Sequence, residues 1–142
     1  MLFYDTGLVW IPPSPNIPFP ETALVYPGQV LLEGTNISEG RGTTRPFEIF
    51  GAPFIDPFLL KNAVVSKGLR GVYFRELFFQ PTFNKWKNNI CGGLQIHITD
   101  REIYKPYFTT LNIIQTIISL YPDKFSWKKP PYESVSYTHL TL

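Results

Sequence analysis

Three features of the chain predict an α+β fold. Two stretches carry apolar residues at helical spacing, about three short runs are rich in aromatic and branched residues, and no strand–helix alternation is long enough for a doubly wound sheet. The expected architecture is a small antiparallel sheet of about three strands packed with two main helices. A Pro-rich segment and a Gly-rich loop precede it.

Five prolines between Pro12 and Pro20 fix φ repeatedly and remove amide donors, which predicts an extended, irregular strap over the chain's own fold. Glu21 to Tyr26 is compatible with a short helix ended by Pro27 and Gly28, and Val30 to Leu32 leads into the polar loop. Phe47, Ile49 and Ala52 suggest a short strand. Asp56-Pro57 is a strong helix start, a capping carboxylate followed by proline at the first helical position. Leu59, Leu60, Ala63 and Val64 supply that helix's apolar face, and Gly68 stops it. Val72 to Phe79 reads as a strand. Asn88 to Gly93 then turns the chain into another strand, in which Leu94, Ile96 and Ile98 alternate with Gln95, His97 and Thr99. The two form a plausible antiparallel pair, with His97 on the polar face and Asp100 at the strand end. In the last helix Phe108, Leu111, Ile114, Ile118 and Tyr121 follow spacings of three and four, the signature of a core stripe, and Pro122 ends it.

The bulk properties exclude several classes. The chain's 142 residues, 44% apolar and 16% aromatic, are enough for one domain with a real core. Thirteen basic against eleven acidic side chains leave a charge of +2, far too balanced for a nucleic-acid binder that relies on phosphate contacts. Cys91 has no partner for an internal disulfide, and no nearby histidine supports a nucleophile, so it reads as a buried small hydrophobe. No apolar run reaches the roughly twenty residues that span a bilayer. The N-terminus lacks the charged and apolar regions of a signal peptide.

Chemistry concentrates in Glu33 to Phe47, where three glycines, four hydroxyls, two carboxylates and two guanidinium groups fall within fifteen residues. Glycines at 34, 40 and 42 allow positive φ and close approach of backbone amides to a ligand. Arg41, between two of them, suits a carboxylate or phosphate through paired hydrogen bonds. The alternative is a long turn whose hydroxyls and Asn36 satisfy their own backbone, with Arg41 paired to Glu33 or Glu39. A phosphate-binding P-loop is excluded: five residues rather than four separate Gly34 from Gly40, and Arg41-Gly42 stands where Lys-Ser/Thr is required.

The wording of the chain carries a resemblance. Trp10-Ile11-Pro12-Pro13-Ser14-Pro15-Asn16-Ile17-Pro18, Tyr26-Pro27-Gly28, Glu33-Gly34-Thr35-Asn36, Gly40-Arg41-Gly42-Thr43, Pro46-Phe47-Glu48 and Gly51-Ala52-Pro53 occur in order, followed by Phe79-Gln80-Pro81-Thr82 and Cys91 to Asp100. Over about residues 1 to 130 this resembles a bacterial family long known only as a domain of unknown function and associated with NamZ-type exo-β-N-acetylmuramidases. The resemblance implies a glycoside hydrolase that releases N-acetylmuramic acid from the non-reducing end of peptidoglycan fragments, without metal or organic cofactor. It implies Arg41 as clamp for the lactyl carboxylate and Asn36, Ser38, Thr43 and Thr44 as partners of the acetamido and hydroxyl groups. Glu33 becomes the carboxyl acting as acid, base or orienting group, or else an ion-pair partner that positions Arg41. Glu39 is expected to be solvated.

The same resemblance implies a two-domain parent with a larger Rossmann-like N-terminal domain and an export signal, hence a secreted or periplasmic location. Residues 1–50 would then be the end of that truncated domain with the substrate loop, and 51–133 a small, incomplete C-terminal domain. Residues 134–142, with His139, continue no family motif and are expected to be an artefactual tail that packs against nothing. The piece alone is expected to be inactive. A non-catalytic module binding peptidoglycan sugars through the same loop is the alternative; a lipid or nucleotide ligand ranks last.

Overall fold

The computed structural model of the chain describes residues 3–128, and the expectations for 134–142 lie outside the described residues. The fold is α+β, with helices α1 (Pro20–Gln29), α2 (Pro57–Val65) and α3 (Pro106–Leu120), and strands β1 (Ile49–Ala52), β2 (Val72–Phe79) and β3 (Cys91–Ile98). The strands form one antiparallel sheet in the order β1-β3-β2, with Phe50 opposite Leu94 and Phe74 opposite Ile96. Helix α2 packs on β2 and β3, and α3 lies against both α2 and α1. Leu32, Ile37, Phe50, Leu60, Leu94, Ile113 and Ile117 are fully buried between these layers, each side chain contributing about 1.5–3 kcal/mol by leaving water.

Helix α1 was expected to stop at Pro27 and runs two residues further. The reason is tertiary: a Cβ at Gly28 would sit 2.3 Å from the Pro106 carbonyl oxygen, so the missing side chain lets α3 cross closely. Thr110 Oγ1 then donates to Gln29 Oε1 at 2.8 Å and holds the last turn.

Helix α2 starts as the sequence dictates, with Asp56 Oδ1 accepting from the Phe58 and Leu59 amides. Its buried stripe is Pro57, Leu60 and Val64; Leu59, expected on that face, points outward, because a nine-residue helix shows the core a single i, i+4 row.

Strand β3 begins at Cys91, not at Leu94, so Gly92 and Gly93 are strand residues rather than part of the turn. A Cβ at Gly93 would lie 1.8 Å from the Phe50 carbonyl oxygen, and one at Gly92 would lie 2.2 Å from that of Ile55. The glycines are there because β1 and its outgoing loop press on the sheet. Cys91 is buried, as expected, and burial pushes its thiol up to about 11. The predicted polar face of β3 is also mostly covered. Gln95 is buried and accepts a short hydrogen bond from Arg75 across the β2 pair, while His97 is half-buried beside Tyr73.

The stripe expected on α3 holds at Ile114, Ile118 and Tyr121, which lie in or against the core, and fails at its start. Phe108 and Leu111 are exposed, while Thr109, Thr110, Ile113, Thr116 and Ile117 face inward, because α3 is wedged between two helices. Thr116 pays no penalty for burial: its hydroxyl donates to the Asn112 carbonyl one turn earlier. Among the described residues no helix is long and apolar enough to cross a membrane.

Candidate functional site

The Gly-rich loop leaves a 3₁₀ turn, Val30–Gly34, that continues α1, and it returns to the sheet at β1. Ser38 exchanges both backbone hydrogen bonds with Gly51, so the loop runs as an extra rung along the outer edge of β1. Gly40 and Gly42 have φ of +84° and +87°, where a side chain would also strike the Ile49 carbonyl at 2.4 Å and the Phe83 carbonyl at 2.7 Å. Phe47 closes the loop with φ of +65°, its amide bonded to the Glu39 carbonyl and its ring edge-on to Tyr26.

The loop's polar groups divide into those that hold it and those that face outward. Thr35 Oγ1 donates to the Leu32 carbonyl and accepts from the Ile37 amide. Ser38 is buried, with Oγ accepting from the Gly40 amide, and Thr43 Oγ1 donates to the Gly40 carbonyl. Asn36 anchors the segment after α3, donating from Nδ2 to the Lys124 carbonyl and accepting at Oδ1 from the Ser126 amide. Thr44 is exposed. Of the predicted residues, the structure brings Glu33 and Arg41 directly together: Arg41 Nη2 donates to Glu33 Oε1 at 2.5 Å.

Behind that pair lies charge that sequence reasoning did not find. Glu39, expected to be solvated, is 2% exposed and paired through Oε2 with Lys85 Nζ at 2.8 Å, while its Oε1 lies 3.8 Å from Arg41 Nε. Lys85 also donates to the Leu32 and Ile37 carbonyls, so one ammonium ties both flanks of the loop to the β2–β3 connection. Burial lowers its basicity from the ordinary lysine value, against Glu39, which raises it. The same connection supplies Trp86, whose indole N–H donates to the Asn36 carbonyl, and Thr82, whose amide donates to that of Gly42. Lys85 gave no signal in the sequence because it lies some fifty residues away, in a part of the β2–β3 connection with no motif of its own.

Away from the loop, a concavity of about 490 Å³ opens where α1 meets the end of β3, lined by Glu21, Leu24, Glu48, His97 and Asp100 among others. Its volume lies within the roughly 300–1,000 Å³ of small-molecule sites. Glu48 is 4% exposed, accepts from the Thr22 hydroxyl at 2.8 Å and lies 3.6 Å from Arg45 Nη1. Burial raises its carboxyl above the ordinary carboxylate range, opposed by the Thr22 hydrogen bond and the Arg45 charge. His97 is pushed below the usual imidazole value, first by burial and then by Arg75 and Arg45. An acidic residue inside the apolar run Phe47-Glu48-Ile49-Phe50 was the available signal for Glu48. Among the described residues no three His, Cys, Asp or Glu side chains converge as a metal site would need.

The arrangement suits recognition of a carboxylate by Arg41. A family model described as "Exo-beta-N-acetylmuramidase NamZ, C-terminal" matches residues 24–141. The chain is 49% identical over 127 residues to the peptidoglycan beta-N-acetylmuramidase NamZ of Bacillus subtilis (strain 168), covering 89% of this chain and 31% of that protein. It is also similar to the crystal structure of a DUF1343 family protein from Bacteroides fragilis NCTC 9343, with a TM-score of 0.83 and 34% identity over 87% of this chain and 32% of that one. It thus spans about a third of the length of these relatives. With that match over most of its length, the chain belongs to the NamZ exo-β-N-acetylmuramidase family, in its C-terminal region.

Proposed function

We propose that this chain is the C-terminal part of a glycoside hydrolase that releases N-acetylmuramic acid from the non-reducing end of peptidoglycan fragments, working outside the cytoplasmic membrane where that polymer lies. The 49% identity to a protein named for this activity carries the reading. The geometry supports it at one point: Arg41 stands on a backbone fixed by two positive-φ glycines, backed by the Glu39–Lys85 pair and partly open to solvent. In this reading Arg41 receives the lactyl carboxylate, the feature that separates muramic acid from N-acetylglucosamine. Glu33 is the loop's carboxyl at the sugar, Thr44 an outward hydroxyl, and Asn36, Ser38 and Thr43 act through the loop they hold together. The remainder of the parent, a Rossmann-like domain, supplies the other half of the cleft and the groups that complete the two-carboxyl chemistry.

The test uses the full-length parent with matched chromogenic β-glycosides of N-acetylmuramic acid and N-acetylglucosamine. Aglycone released from the first and at least tenfold less from the second is the expected result. Saturable binding without release would replace the enzyme by a sugar-binding module, and equal release from both would remove Arg41 from recognition.

A further inference from the structure

The four charges around the loop are unequally held. Glu39 is buried between Lys85 at 2.8 Å and Arg41 at 3.8 Å, and Lys85 is further fixed by two backbone carbonyls. The well-held part, two cations and one anion, therefore carries one net positive charge, and Lys128, bonded through its amide to the Gly34 carbonyl, adds to the positive field at Lys85. The balancing anion is Glu33. Its side chain is 39% exposed against 2% for Glu39, and it accepts one hydrogen bond, from Arg41 Nη2, among the described residues. Arg41 Nε meanwhile is buried without a hydrogen-bond partner, 3.8 Å from Glu39 Oε1, so its unused donor lies on the Glu39 side and the exchangeable contact is the one at Nη2.

We infer that Glu33 is a resident counter-ion, which the carboxylate of an incoming ligand displaces from Arg41. Simple addition would bring a third carboxylate against Arg41, beside Glu33 at 2.5 Å and the buried Glu39 at 3.8 Å, where like-charge repulsion opposes it. Exchange leaves the number of charges around Arg41 unchanged and releases Glu33 as a free carboxylate next to whatever the ligand carboxylate is attached to. Glu39 and Lys85 are positioning residues: they keep the guanidinium in place while its outer partner changes. This rests on the proposed saccharide reading only for the identity of the ligand, and its minimal probe is lactate.

The experiment is a titration of the chain with lactate, followed through the Arg41 Nε–Hε signal in nitrogen-15 correlation spectra and assigned by its loss in Arg41→Lys. Lactate is expected to move that signal and neutral lactamide to leave it in place. Glu33→Gln, which removes the internal competitor, is expected to bind lactate up to about fivefold tighter, the equivalent of about 1 kcal/mol for a half-exposed pair. Glu33→Asp should fall between. Unchanged or weaker lactate binding in Glu33→Gln overturns the inference. So does loss of folding in that variant by circular dichroism, since an exchangeable counter-ion is dispensable to the fold. The outcome is independent of turnover: tighter lactate binding in Glu33→Gln with an inactive parent removes only the hydrolase reading, and an active parent without that gain removes only the exchange.

Discussion

Replacing Lys85 by Met should be among the most damaging single changes outside the core. The substitution keeps the aliphatic stem and deletes the ammonium, leaving Glu39, 2% exposed, facing only Arg41 at 3.8 Å, and removing the donor from the Leu32 and Ile37 carbonyls. Taking one partner from a buried pair costs about 3–5 kcal/mol. Arg41 offsets part of this by closing on Glu39, so the expected loss is about 3 kcal/mol. With 142 residues and an unfolding entropy near 2 cal/mol/K per residue, that lowers Tm by about 10 °C. Thermal melts of wild type, Lys85→Met, Glu39→Gln and the double variant form the assay. Because burial already works against the Lys85 charge, removing both charges should return the double variant to within about 1 kcal/mol of wild type. Additive losses in the cycle, or a Lys85→Met melt within 3 °C of wild type, would refute the claim that this pair is buried and coupled.

Gly28→Ala should destabilise by about 2 kcal/mol or more: helix propensity favours Ala by about 1 kcal/mol, but its Cβ would meet the Pro106 carbonyl at 2.3 Å, and a melt above wild type would show that α3 gives way. Asn36→Ala should leave the sheet intact while amides at Ser126 and Lys128 exchange at least tenfold faster, which hydrogen exchange reads directly. Glu48→Gln tests pH dependence. An acid raised on folding binds more protons folded than unfolded between the unfolded value and its own, so wild-type stability should fall as pH rises through that window, and the variant should lose the slope while keeping its Thr22 hydrogen bond. Urea midpoints from pH 4 to 7 decide, and a Glu48→Gln protein more than 1 kcal/mol weaker at pH 7 would mean that Arg45 holds a charged Glu48.

Elements fixed by local chemistry were legible in the sequence. Asp56-Pro57 begins α2 because a carboxylate and a missing N–H meet the needs of a helix start wherever they occur, and Pro122 follows the end of α3 for an equally local reason; the alternation around Ile96 located a strand but not its buried polar face. Where the reading failed, a distant partner decided. Pro27 did not stop α1 because α3 crosses at Gly28; Gly92 and Gly93 did not stay in the turn because β1 needed their bare backbone; and Phe108 did not face the core because α3 is wedged between two helices.

The candidate site divides along the same line. Composition alone identified the glycine-punctuated ribbon, and both of its positive-φ glycines lie where the backbone demands them. Composition could not tell Glu33 from Glu39, since two glutamates six residues apart in one polar loop have the same local chemistry. The difference is imposed from outside by Lys85, carried on the β2–β3 connection and aimed at one of them. Burial there makes Glu39 part of the scaffold and leaves Glu33, 39% exposed, as the outer partner of Arg41. The exchange we propose uses both kinds of acid: one buried against Lys85, so that the guanidinium keeps its place, and one at the surface, able to yield it.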